Sequence, residues 1–292
     1  MDYSALLKTY GESMTEKEIA GYVEKAHAAS SGNFNESVYK VCYSAIDLTS
    51  LTESDSVESI GSFTRKAAEF GRQFPDIPNV ATICVYPVFV DTVGMGVEGT
   101  DIGVTSVAGG FPAAQTFLEV KMLEIAMAVE SGADEIDVVM NVGEMLSGEY
   151  DRVANDIEMM RSEAGEDVVF KVIIESGALK TPGLIRKASL LAMFAGADFV
   201  KTSTGKIPVA ATPEAAVVMC TAIRDYYEKT GRKVGFKAAG GVRTAEEAAF
   251  YYTIVGMILG EEWLTPSLFR IGASSLANNL LAAIMGREIK YF

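Results

Sequence analysis

The sequence is poor in the side chains that hold metals and run proton relays in many enzymes. It has one histidine, His27, and three cysteines, Cys42, Cys84 and Cys220, in 292 residues. Zinc hydrolases and zinc aldolases generally draw on several imidazoles, and a Ser-His-Asp triad needs one beside its serine. His27 has no metal-type partner near it in sequence, so both chemistries are excluded and no metal or other cofactor is expected. The cysteines are widely spaced, odd in number and never in a Cys-x-x-Cys pair. They read as free thiols in a reducing compartment, not as a disulfide framework. No basic run interrupts a formal net charge of −14, which argues against a nucleic-acid partner. The start, Met1-Asp2-Tyr3-Ser4, lacks the basic-then-apolar pattern of a signal peptide. No apolar stretch reaches the roughly 20 residues that span a bilayer. The segment 271–286 carries no charge, but its serines and asparagines suit a buried helix. A cytoplasmic protein without a membrane partner is expected, with Lys, Asp, Glu, Tyr and Cys left to carry any chemistry.

What is present is a regular alternation. Residues 1–42 read as an N-terminal helical extension, in which Thr15-Glu16-Lys17-Glu18 has capping-box spacing and Ile19, Tyr22, Val23 and Ala26 follow at helical intervals. No Pro/Gly-rich linker follows, so the extension is expected to pack on residues 43–292. Eight short apolar runs come next: Tyr43–Leu48, Val80–Tyr86, Gly103–Val107, Glu135–Met140, Val168–Ile174, Phe199–Thr202, Val234–Lys237 and Arg270–Gly272. Between them lie amphipathic helical patterns, several with Thr at the N-cap and Pro or a capping box behind it. Eight strand-then-helix units predict a closed (β/α)8 TIM barrel. The alternative, an open doubly wound sheet, lacks its Gly-x-Gly-x-x-Gly turn after the first strand. The second unit is the weakest, because the segment after Tyr86-Pro87 is Gly-rich and a poor helix former.

Charges hide inside these runs: Asp47 in the first, Asp137 in the fourth, Lys171 in the fifth, Lys201 in the sixth and Lys237 in the seventh. A buried ammonium is costly unless it is paired or loses its proton. A lysine that can lose its proton is a nucleophile for carbonyls. One lysine at a strand end ordinarily snorkels to water. Three on consecutive strands with an aspartate beside them point inward to one pocket, since strand alternation groups Asp137 with Val139 and Asn141, and Lys171 with Ile173 and Glu175. Two glycine-rich strand ends, Lys237-Ala238-Ala239-Gly240-Gly241-Val242-Arg243-Thr244 and Gly272-Ala273-Ser274-Ser275, open helices after the seventh and eighth strands, a common barrel phosphate site. Gly205-Lys206 offers a further contact.

These segments in order closely resemble the 2-deoxyribose-5-phosphate aldolase family, over roughly Ser44 to Leu281. The matching segments are Ile46-Asp47-Leu48-Thr49, Glu135-Ile136-Asp137-Val138-Val139, Lys171-Val172-Ile173-Ile174-Glu175, Val200-Lys201-Thr202-Ser203-Thr204-Gly205-Lys206, Gly235-Phe236-Lys237 with Gly240-Gly241-Val242-Arg243-Thr244, and Arg270-Ile271-Gly272-Ala273-Ser274-Ser275. The resemblance implies a metal-free, class I aldolase, cytoplasmic and homodimeric. It also implies cleavage of the sugar phosphate 2-deoxy-D-ribose 5-phosphate to D-glyceraldehyde 3-phosphate and acetaldehyde, in deoxynucleoside breakdown. Lys201 is then the Schiff-base lysine, Asp137 the residue that takes the 3-hydroxyl proton, and Lys237 the partner that depresses the Lys201 pKa. Asp47, Lys171 and Thr202 join the substrate-side polar network, and Gly205, Lys206, Gly240, Gly241, Gly272, Ser274 and Ser275 hold the phosphate. Three departures stand out. Ala238 occupies the place of the family's usual proline, the N-terminal extension is long, and the C-terminus reads Lys290-Tyr291-Phe292 where some members carry a tyrosine that reaches the active site. A keto-acid aldolase, a transaldolase and a non-catalytic sugar-phosphate-binding barrel are the other readings.

Overall fold

Strand 1 begins at Ile46, three residues later than the apolar run suggests. Asn35 accepts a hydrogen bond from Val38 N and caps a helix over Glu36–Ser44, so Tyr43 is helical and stacks on Phe70 with ring centroids 5.0 Å apart. The computed structural model describes residues 3–292. Its strands are β1 (Ile46–Thr49), β2 (Thr82–Val85), β3 (Gly103–Ala108), β4 (Glu135–Val139), β5 (Val169–Ile173), β6 (Phe199–Lys201), β7 (Gly235–Ala239) and β8 (Phe269–Ala273). Each pairs in parallel with the next, and β8 closes on β1, giving the expected (β/α)8 barrel. The strand interiors are buried on both faces, as all-parallel strands between a helical shell and a filled interior must be.

Three helices precede the barrel: α1 (Tyr3–Lys8), α2 (Glu16–Ser30) and α3 (Glu36–Ser44). The shell comprises α4 (Val57–Gln73), α5 (Val90–Val97), α6 (Leu118–Glu130), α7 (Val142–Ser147), α8 (Tyr150–Ala164), α9 (Ser176–Leu179), α10 (Pro182–Phe194), α11 (Pro213–Thr230), α12 (Ala245–Leu259) and α13 (Leu276–Met285). Thr181, Thr212 and Thr244 cap α10, α11 and α12 as their sequences indicate. The second unit does form a helix, α5. A Cβ on its Gly96 would stand 2.5 Å from Thr64 Cγ2 of α4, so the glycine that weakens helix propensity also allows close packing. Helices α1 and α2 lie on the outside of the shell. Tyr3 N donates to Asp151 Oδ1 at 2.9 Å, Arg186 Nη2 to the Tyr10 carbonyl at 2.7 Å, and His27 stacks on Phe250 at 4.2 Å.

Candidate active site

Strand alternation turns the in-strand charges into the barrel, where they meet on a single carboxylate. Asp137 Oδ1 accepts a hydrogen bond from Lys171 Nζ at 2.8 Å. Its Oδ2 accepts from both Lys201 Nζ and Lys237 Nζ at 2.7 Å. Lys237 also donates to Asp47 Oδ2. Two further residues belong to the network and escape a reading of the sequence. Glu135 Oε2 stands 2.5 Å from Lys171 Nζ. Arg270 bridges Glu135 Oε1 at 2.8 Å and Asp47 Oδ1 at 2.5 Å. Both sit at strand beginnings, where charges are ordinarily solvated. The available signal was parity, since Glu135 shares a face with Asp137.

The register sets the height of each lysine. Lys171 pairs with Phe199, while Lys201 pairs with Ile173 on β5 and Lys237 on β7, so Lys201 stands one inward layer nearer the C-terminal mouth than Lys171. Lys201 lines a cavity of about 360 Å³ at that mouth, with Asp137, Lys171, Lys237 and Asp47 fully buried beneath it. Burial lowers the Lys201 pKa below the ordinary lysine value; Asp137 opposes this and the Lys237 charge adds to it. Burial acts on Lys237 too, but Asp137 and Asp47 outweigh it and hold its pKa well above the ordinary value. Lys171 is likewise raised, with burial overcome by Asp137 and Glu135. Asp137 sits well below the usual carboxylate range because three ammonium groups outweigh its burial. Lys201 is thus the lysine of this cluster that holds its proton least tightly.

Above Lys201 the cavity wall is built of backbone and short side chains. Gly205, Lys206, Gly240, Gly241, Ser274 and Ser275 all line it, with Arg243 at the rim. Gly240 has φ +80°, and a Cβ there would stand 2.6 Å from Ala210 Cβ, so a side chain cannot enter without distorting the wall. A Cβ on Gly272 would press on Lys237 Cε at 3.2 Å. Ser275 precedes α13 without bonding its own helix end, which leaves N–H groups of the first turn free for an anion. Lys206 Nζ donates to the Leu51 carbonyl across the mouth. Thr202 is outside this lining: its buried hydroxyl donates to the Ala239 carbonyl at 3.0 Å and accepts from Ala239 N at 2.9 Å, tying β6 to β7. Glu175, at φ +52°, turns its carboxylate to Thr204, accepting from Oγ1 at 2.5 Å and from N at 3.3 Å. A larger cleft of about 770 Å³ lies between α1 and α10 and contains none of the lysine network.

Residues 43–279 match the DeoC/LacD family aldolases. The chain belongs to this aldolase family. It is 45% identical over 245 residues to the deoxyribose-phosphate aldolase of Mus musculus, covering 80% of this chain and 77% of the mouse protein. It is 44% identical over 247 residues to that of Homo sapiens, with the same coverage. Among solved structures, the tetrameric deoxyribose phosphate aldolase of Aeropyrum pernix shares the fold, with a TM-score of 0.66 at 23% identity over 92% of this chain and 98% of the other. An aldolase of this family acts on a small-molecule substrate. Among the described residues, no helix is long and apolar enough to cross a membrane.

In this aldolase the C-terminal tyrosine lies away from the lysines. The Tyr291 hydroxyl donates to the Lys66 carbonyl on α4 at 2.8 Å, and the ring packs edge-on against Phe70 and Phe74. Asn278 holds the tail through Tyr291 N at 2.8 Å and Phe292 N at 3.0 Å. Ala238 is buried in β7 opposite Ile271 of β8.

Proposed function

We propose that the chain is a class I deoxyribose-phosphate aldolase, cleaving 2-deoxy-D-ribose 5-phosphate to D-glyceraldehyde 3-phosphate and acetaldehyde through an imine on Lys201. The observation that carries this reading is Lys201 itself, at the floor of the mouth cavity and bonded to Asp137 at 2.7 Å; burial pushes its pKa down, while the carboxylates around Lys171 and Lys237 hold theirs up. The neutral amine adds to the open-chain aldehyde carbon to give a carbinolamine. Lys237 supplies a proton to the departing hydroxyl, leaving an iminium that draws electrons from the C2–C3 bond. Asp137, through a water, takes the 3-hydroxyl proton as that bond breaks and returns it to the lysine network. The enamine is protonated and hydrolysed to release acetaldehyde. Asp47 and Lys171 hold Asp137 and Lys237 in place. Gly205, Lys206, Gly240, Gly241, Gly272, Ser274 and Ser275 form the phosphate end, where backbone N–H groups and a helix N-terminus capture an anion against the acidic whole.

We also read the protein as a cytoplasmic homodimer, with residues 1–42 an extension on a barrel of residues 43–292. The family match beginning at residue 43 supports that boundary. An apolar stripe on α6 supports self-association: Phe117, Val120, Leu123 and Met127, at helical spacing, are each half or more exposed. The test of the central reading is acetaldehyde with borohydride, followed by peptide mapping. One ethyl group on Lys201 is expected, and none in Lys201→Leu. An unmodified protein, or an adduct on another lysine, overturns the assignment. An adduct with a keto acid but not with deoxyribose phosphate would move the substrate to another class.

A further inference from the structure

The interior network contains more cations than anions. Asp47, Glu135 and Asp137 are bonded to Lys171, Lys201, Lys237 and Arg270 in one continuous set. Fully ionised, these three carboxylates and four cations leave one uncompensated positive charge in a buried space. Release of one proton makes the set neutral, and low local dielectric makes that balance count. Each end of the set has a different task. Lys201 meets the cavity, while Glu135 and Arg270 stand at the opposite ends of β4 and β8, where Arg270 Nε also donates to the Pro266 carbonyl.

We propose that Glu135 and Arg270 are positioning residues that fix the charge of this network and thereby set how readily Lys201 gives up its proton. Neither touches Lys201. Arg270 acts through Asp47, which holds Lys237; Glu135 acts through Lys171, which holds Asp137. The inference rests on the imine reading above and deepens it. The groups that face Lys201 directly are Asp137 from β4 and Lys237 from β7, with the Cys84 thiol from β2 and Glu175 from the end of β5 at longer range. Lys171 on β5 and Asp47 on β1 stand behind Asp137 and Lys237. The neighbouring β3 positions, Thr105 and Val107, are uncharged. Cys84, whose thiol is pushed up by burial, stays neutral. Beyond Glu175, which Thr204 holds, and Lys206 and Arg243 on the cavity wall, the charge that Lys201 senses is set by the ionised groups of the network.

Substitutions at the two residues then move Lys201 in opposite directions. Glu135→Gln keeps the shape and removes a negative charge, so the ammonium on Lys201 is disfavoured and its pKa falls. Arg270→Leu removes a positive charge and its pKa rises. A unit charge about 10 Å away, at an effective dielectric near 20, is worth roughly one pH unit, and each change is expected to be of that order. The double variant restores the original net charge and is expected to return the midpoint close to wild type.

The experiment is the pH dependence of borohydride trapping of acetaldehyde at Lys201 in the full chain, for wild type, Glu135→Gln, Arg270→Leu and the double variant. A midpoint displaced downward by about one unit in Glu135→Gln, and upward in Arg270→Leu, supports the proposal. Should Arg270→Leu fail to fold, Glu135→Gln and the conservative Arg270→Lys decide alone, the second being expected to keep the wild-type midpoint. Displacements in the same direction, or profiles that overlay wild type while stability falls, overturn it, since a purely structural pair has no reason to shift Lys201 with opposite sign. Absence of trapping at Lys201 in wild type removes the imine reading and this inference with it.

Discussion

On the proposed imine mechanism, the three buried lysines differ as nucleophiles in how their carboxylate partners are shared. Lys171 has Asp137 at 2.8 Å, Glu135 at 2.5 Å and Asp47 at 3.8 Å. Lys237 has Asp47 and half of Asp137 Oδ2. Lys201 has only the other half of that oxygen, at 2.7 Å. Desolvation penalises all three ammonium groups, and only the first two are repaid in full. Lys237→Leu removes a like charge and leaves Asp137 Oδ2 to Lys201 alone. Both effects favour the ammonium on Lys201, so its pKa rises and trapping of acetaldehyde is expected to need a pH higher by one unit or more. The pH–trapping profile checks this; a profile identical to wild type would leave desolvation as the whole cause of the depressed pKa.

At the scale of elements, the C-terminal segment acts as packing. Phe292 lies edge-on to Phe63 at 5.9 Å and Tyr291 to Phe70 at 5.6 Å, both rings of α4. Deleting Tyr291 and Phe292 exposes that helix and should cost about 2 kcal/mol, from two partly buried aromatic side chains. The melting temperature is expected to drop by roughly 3–6 °C. Imine formation, and exchange of the acetaldehyde methyl protons with solvent, should continue at the wild-type rate. Slowed exchange in a fully folded truncated protein would restore a proton-transfer role to Tyr291.

For the whole molecule, the α6 stripe is a run of exposed apolar side chains along one helix face. Its four apolar residues follow at three- and four-residue steps, one face of a helix whose other face carries the buried Ile125 and Ala128. A charge in the middle of a self-complementary apolar face is desolvated on association without a partner. On the proposed dimer, Leu123→Glu is therefore expected to leave a monomer in sedimentation velocity while keeping the borohydride adduct at Lys201. A wild-type protein that sediments as a monomer at micromolar concentrations would leave the stripe without this role.

Much of this was written along the chain, because the signals are local. The eight strand-helix alternations, the threonine caps, and the inward parity of Asp137, Lys171, Lys201 and Lys237 depend only on near neighbours, and so predicted a barrel with a lysine centre. Thr202 was different. It lies in the same motif as Lys201, where substrate contact is expected, but its hydroxyl bonds the Ala239 backbone of the next strand. Helix α5 forms despite its glycines because α4 packs closely on Gly96, and β1 starts late because α3 claims Tyr43. The places of Glu135 and Arg270 in the network were also hidden, since a charge at a strand beginning gives no sign of whether it meets water or a counter-ion. The sequence by itself determined which residues face inward. Only closure of the barrel decided which of them meet, because the stagger between strands sets how far apart inward residues from different strands stand, and charge interactions depend on that separation.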